Sequence, residues 1–176
     1  MDKNWIALLQ QNQLEHITKL NAQTASYGLT LSAEDAALIL EEKNNALREQ
    51  RRVEFGAGIT QDIIRTFCDS SFIDQNNYVE TILRLQEIFY LYKNEMMDEI
   101  TDAELLHFMK EQFETVCFGD PDYLEGTCLQ IFSQAIRAGY RGYQATEGYG
   151  EYAAFDEVQR WDYTLYLTAL NDLFRR

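Results

Sequence analysis

The stretch from Asn76 to Met97 constrains this chain most, because apolar residues fall on nearly every side of the helix it would form. Tyr78, Ile82, Leu85, Phe89, Tyr92 and Met96 recur at alternating four- and three-residue steps, and Val79, Leu83, Ile88, Tyr90 and Leu91 fill most of the remaining surface. A helix that is apolar nearly all round has to be enclosed by other elements. Only Glu80, Arg84, Glu87 and Asn94 form a polar strip, with Glu80 and Arg84 at a favourable i,i+4 spacing. The expectation is an all-α, single-domain irregular bundle over residues 1–176, with six to seven helices around a central buried helix at about 76–97.

The flanking sequence carries the start and stop signals such a bundle needs. A first helix is expected from about Asn4 to Leu20, with Trp5, Ile6, Leu9, Leu14, Ile17 and Leu20 on one side. Gly28 then suits a positive-φ turn, and Leu29, Thr30 and Leu31 alternate as a short extended hook. Ser32 with Asp35 fits a capping box opening a helix to about Arg52, whose polar distal half, EEKNNALREQRR, is expected to project into solvent. Thr60, Asp74 and Thr101 each fit an N-cap flanked by an apolar pair: Ile59 with Ile64, Ile73 with Tyr78, Ile100 with Leu105. The Thr101 helix is expected to bury Leu105, Met109, Phe113 and Val116 and to stop at Gly119. Asp120-Pro121 restarts the chain, with Leu124, Cys128, Ile131, Ala135 and Ala138 as the next buried stripe. A last helix is expected from about Ala154 to Phe174, acidic at its start and ending in Arg175 and Arg176.

Charge and cysteine usage narrow the function classes. The 176 residues carry 29 acids against 15 bases, a net charge of −14. That field repels phosphate backbones and acidic lipid surfaces, so neither nucleic acid nor membrane is expected as a partner. Cys68, Cys117 and Cys128 are odd in number, lack C-x-x-C spacing and sit in apolar patterns, as in a reducing cytoplasm. The N-terminal residues lack the layout of a secretory signal, and no run of 18 apolar residues occurs. A cytoplasmic protein is expected.

Two stretches are candidate sites. Gly56 and Gly58, just before the helix expected at Thr60, can form a nest of backbone amides for an anion, with Arg51, Arg52, Asp69 and Lys93 as further candidate ligand-binding residues. The stretch lacks both glycine-rich phosphate-binding patterns, and a tight interhelical turn is the alternative. Residues 139–152 hold four glycines and Tyr140, Arg141, Tyr143, Tyr149 and Tyr152, which are candidate partner contacts; a packed connector is the alternative. His16 and His107 are the only histidines. Glu104 and His107 match one Glu-x-x-His element of a di-iron bundle, but the second such element is missing and Glu104 is already the acid of a capping box, so no metal or cofactor is expected. Cys68 lies on the stripe of Ile64 and Phe67 and reads as an inert core thiol. No residue is assigned a catalytic role.

The segments Arg52-Val53-Glu54-Phe55-Gly56-Ala57-Gly58-Ile59, Phe67-Cys68-Asp69-Ser70, Asn77-Tyr78 and Tyr90-Leu91-Tyr92-Lys93-Asn94-Glu95 occur here together, preceded by YGLTLS. In that combination the chain resembles an uncharacterised family of small acidic bacterial proteins, a domain of unknown function, over about residues 22–138. The Tyr-rich stretch and final helix depart from that family's acidic tail. The resemblance implies a cytoplasmic bacterial protein and supplies no activity. The expected function is a non-catalytic protein-interaction or adaptor role, with a protein partner or self-association. Alternatives are a small-molecule or anion binder or unrecognised enzyme built on the Gly56–Gly58 turn, and an acidic nucleic-acid mimic.

Overall fold

The central rod forms: Tyr78–Glu95 is helical, and Ile82, Leu85 and Ile88 along it are fully buried. The computed structural model describes residues 3–54 and 58–139. Gly56, Tyr140, Arg141, Tyr143, Tyr149, Tyr152 and the expected helix at 154–174 lie outside the described residues. Among the described residues there is no strand, and besides short helical turns at Asn21–Thr24 and Ala25–Tyr27 there are six main helices. These are α1 (Lys3–Lys19), α2 (Ala33–Glu49), α3 (Ile59–Phe67), α4 (Tyr78–Glu95) and α5 (Asp102–Thr115). The sixth, α6, begins with a turn at Pro121–Tyr123, widens into a π-helical turn at Leu124–Leu129 and ends as Gln130–Arg137. Helix α4 is the hub, packed most extensively against α2 and also against α3, α5 and α6.

Local chemistry places most boundaries. Ser32 and Asp35 make a reciprocal capping box at α2, and Thr101 and Glu104 make another at α5, each satisfying two otherwise orphaned amides. Asp120 accepts from the amides of Asp122 and Tyr123 while Pro121 takes the first helical position. Gly28 is left-handed at φ 77°, after which Leu29 and Leu31 are buried and Thr30 points outward to pair its amide and carbonyl with the Gln75 side chain.

Four expectations are corrected. Asp74 does accept from the amides of Asn76 and Asn77, but those residues form a turn, and α4 begins at Tyr78. Thr60 is not a cap: α3 starts one residue earlier, and the Thr60 hydroxyl donates instead to the Gln86 side chain on α4. The distal half of α2 does not project into solvent, because Lys43, Ala46 and Leu47 are buried. In α6 the π-helical turn adds a residue to one turn and rotates the stripe, so that Phe132 and Ile136 are buried while Ala138 is exposed. Two ends are also looser than their periodicity implies. Leu8 and Leu9 of α1 are more than half exposed, so α1 docks through Leu14, Ile17 and Leu20, and Val116 lies on the exposed C-terminal edge of α5.

Leu85→Ala is expected to lower unfolding free energy by about 3 kcal/mol, because it leaves a cavity at a fully buried site of the hub. Urea denaturation checks it through a reduced midpoint at unchanged slope.

Candidate functional site

Helix α4 is not apolar throughout. Gln86, Tyr90, Lys93 and Asn94 follow i, i+4, i+7, i+8 spacing and share one face. Gln86, Tyr90 and Lys93 are buried and Asn94 is half-buried, so each polar atom needs a partner. Gln86 donates to the Ile39 carbonyl at 3.1 Å and accepts from Thr60. Asn94 donates to the Gln50 carbonyl at 2.7 Å. These contacts climb α2 and α4 together, so the two helices run side by side in the same direction.

Glu54 anchors the middle of this face. One carboxylate oxygen accepts from the Ile59 amide at 2.7 Å, capping α3 in place of the missing side-chain cap. The other accepts from the Tyr90 hydroxyl and lies 3.6 Å from the ammonium of Lys43. Lys43 is almost wholly buried, and that burial holds its pKa below the ordinary lysine value despite the attraction of Glu54. Burial, then Glu54, pushes the Tyr90 hydroxyl far above its usual range. Gly58 is required over this carboxylate: its φ is 53°, and a Cβ there would sit 1.9 Å from Glu54 Oε1.

A second ionic cluster fastens the C-terminal ends of α2 and α4. Arg52 engages both Asp98 oxygens at 3.1 and 2.8 Å and donates to Asn94 Oδ1 at 2.7 Å. This fork holds the Asp98 carboxyl below the usual carboxylate range. Lys93 donates to the Ile100 carbonyl at 2.7 Å and meets Asp102 at 2.8 Å and Asp98 at 3.5 Å. Cations at two adjacent helix C-termini also offset the partial negative charge there.

The structure therefore gathers Arg52, Lys93 and Gly58 of the expected site residues. Arg51 is exposed, in a left-handed conformation at the end of α2. Asp69 lies elsewhere, paired with Lys110 at 2.7 Å, and Lys110 also stands over the Phe67 ring. An anion arriving at the N-terminus of α3 has to compete with Glu54, already bonded to the first amide of that helix. Lys43, Glu54, Gln86, Tyr90 and Asp98 escaped sequence reasoning. The available signal was a polar stripe at helical spacing inside the most apolar helix.

On another side of the same helix pair lies an open groove of about 920 Å³. Leu38 and Ala46 of α2 and Val79 and Leu83 of α4 give it apolar surface, while Glu42, Glu49, Glu80, Glu87 and Asp122 stand along it. Arg84 is its one described cation, and Glu87 at 2.7 Å, Asp122 at 3.0 Å and Glu125 already occupy the guanidinium. Among the described residues no group of three or more His, Cys, Asp or Glu side chains is placed to share a metal ion, and no helix is long and apolar enough to cross a membrane.

Fold and site together define a small acidic helical protein whose hub is bonded to its neighbours through an internal polar stripe. Residues 16–142 match a family of unknown function, DUF6323, and the chain belongs to that family. No curated protein and no solved structure matches it.

Two measurements probe this clasp. Glu54→Gln removes the carboxylate charge facing the buried Lys43 ammonium and is expected to cost about 3 kcal/mol, whereas Lys43→Met, which keeps the Tyr90 and Ile59 bonds to Glu54, is expected to cost distinctly less; urea midpoints of the two variants check the order. Asp98 has a lowered folded pKa, so its stabilisation is present above the unfolded carboxylate pKa of about 4 and fades as pH falls through the folded value. Stability measured against pH is therefore expected to differ between wild type and Asp98→Asn near neutrality and to converge in acid.

Proposed function

We propose that this chain is a non-catalytic interaction protein that holds a basic, apolar-faced segment of a protein partner in the groove between α2 and α4. The observation that supports it is the pairing of an apolar floor with an acidic rim whose one guanidinium among the described residues is already saturated. A peptide helix with Leu on one face and Lys or Arg on the other matches both requirements, in the helix-in-groove mode. The groove stands between two helices fastened by the Glu54 and Arg52 clusters, so its walls are preorganised, which lowers the ordering cost of association. Five carboxylates along one opening also steer a cationic segment toward it.

The test uses a labelled amphipathic Leu/Lys peptide about five helical turns long, followed by fluorescence anisotropy. Saturable binding is expected that weakens with salt, and weakens by about tenfold or more in the Glu80→Lys, Glu87→Lys double variant, a loss equivalent to at least one power of ten in Kd. Hydrogen-exchange protection on binding is expected along α2 and α4. Binding that ignores both salt and the double variant, or protection confined to other helices, counts decisively against the groove.

A further inference from the structure

Cys117 and Cys128 bracket the segment that contributes Gly119, Pro121 and Asp122 to the groove. Their sulfurs lie 3.6 Å apart, in contact as a thiol pair. A disulfide holds its sulfurs at about 2.05 Å, so closing the bond needs a relative movement of about 1.5 Å. Both ends are built to permit that. Cys128 sits in the π-helical turn Leu124–Leu129, where the helical ladder is already widened, and Cys117 lies beyond the last turn of α5, before the left-handed pair Phe118 and Gly119. Both thiols are at the edge of the core, each less than a tenth exposed.

We propose that Cys117 and Cys128 are a dithiol–disulfide modification site, closed by an oxidant of the peroxide class, and that the bridge pins the groove wall between them. The Cys128 thiolate attacks a peroxide oxygen, breaking the O–O bond and forming a sulfenic acid on Cys128 with release of hydroxide. That hydroxide takes the Cys117 proton as water; the Cys117 sulfur then attacks the Cys128 sulfur, the S–O bond breaks, and the departing hydroxide leaves as a second water with the proton first lost from Cys128. Two thiols and one peroxide become one disulfide and two waters. Either thiol can donate across the 3.6 Å contact, so the same steps run with the two cysteines exchanged. Cys68 differs, because its thiol donates to the Arg65 carbonyl at 3.3 Å and burial pushes its pKa up.

The bridge needs no docked partner, so its failure and the failure of the docking reading are read separately. The full chain is treated with hydrogen peroxide, and in parallel equilibrated in glutathione disulfide/glutathione buffers, then denatured, alkylated and mapped by peptide mass. An intramolecular peptide pair joining Cys117 to Cys128 with Cys68 alkylated is expected, lost in Cys117→Ser and Cys128→Ser and retained in Cys68→Ser. Amide exchange across residues 118–127 in the oxidised wild type is expected to slow several-fold. Alkylation of all three cysteines under both oxidants, or a bridge that includes Cys68 or a second chain, overturns the site. A correct bridge with unchanged exchange overturns the pinning. The wild-type mapping stands even where a serine variant fails to fold.

Discussion

The carboxylate of Glu54 is the interaction on which the middle of this protein depends. It answers three demands at once: the unfilled N-terminal amide of α3, the buried hydroxyl of Tyr90 and the buried ammonium of Lys43. A buried polar group without a partner costs several kcal/mol, and a buried charge costs more. Each of the three groups belongs to a different helix, so one side chain of the connector after α2 fixes the mutual positions of α2, α3 and α4. Apolar packing alone would tolerate sliding of α2 along α4. Hydrogen bonds from Gln86 to Ile39 and from Asn94 to Gln50 allow only one register.

What was legible in the sequence is what is decided locally. Ser32 and Asp35, Thr101 and Glu104, and Asp120 with Pro121 fold within four residues of one another, and their helix starts follow from identity and spacing. The hub was legible too, since its apolar periodicity survives any arrangement of neighbours. Thr60 failed because it had two possible partners, its own amides and Gln86, and the winner is 26 residues away. Lys43 reads as a solvent residue until Glu54 supplies a counter-charge. In α6 the shift from the expected Ile131 to the buried Phe132 reflects one extra residue in a turn, to which a strict 3.6-residue pattern is blind. Of the candidate site residues, Arg52 and Lys93 share a neighbourhood because they follow or end helices that lie side by side, and Gly58, which precedes α3, lies against Glu54 of the connector after α2; Asp69 follows α3 and meets α5 instead.

The ends of α2 and α4 show why charge is concentrated there. Arg51, Met97 and Asp98 all adopt left-handed backbone without being glycine, which costs of order 1 kcal/mol or more each. Such turns persist only when their surroundings over-determine them. Backbone bonds from Arg52 to Leu47 and from Asp98 to Lys93 close both helix ends in the same way. The Arg52–Asp98 fork then ties one closed end to the other. The residue that terminates α2 and the residue that terminates α4 are thus each other's counter-ions, and neither turn can relax alone.

The same two helices are sealed on one side and open on another, and electrostatics accounts for the difference. On the sealed side Lys43 meets Glu54, Arg52 meets Asp98, and Lys93 meets Asp98 and Asp102. Along the groove Glu42, Glu49 and Glu80 stand beyond the two carboxylates paired with Arg84, so bringing α2 and α4 together there would strip water from uncompensated anions, at several kcal/mol per ion. The apolar floor of Leu38, Ala46, Val79 and Leu83 offers about 25 cal/mol for each Å² covered, too little over so few side chains to outweigh that cost. Only an occupant carrying cations of its own removes the penalty while still covering the floor, which is why the charge of the rim, more than the shape of the cleft, selects a basic segment under the docking reading.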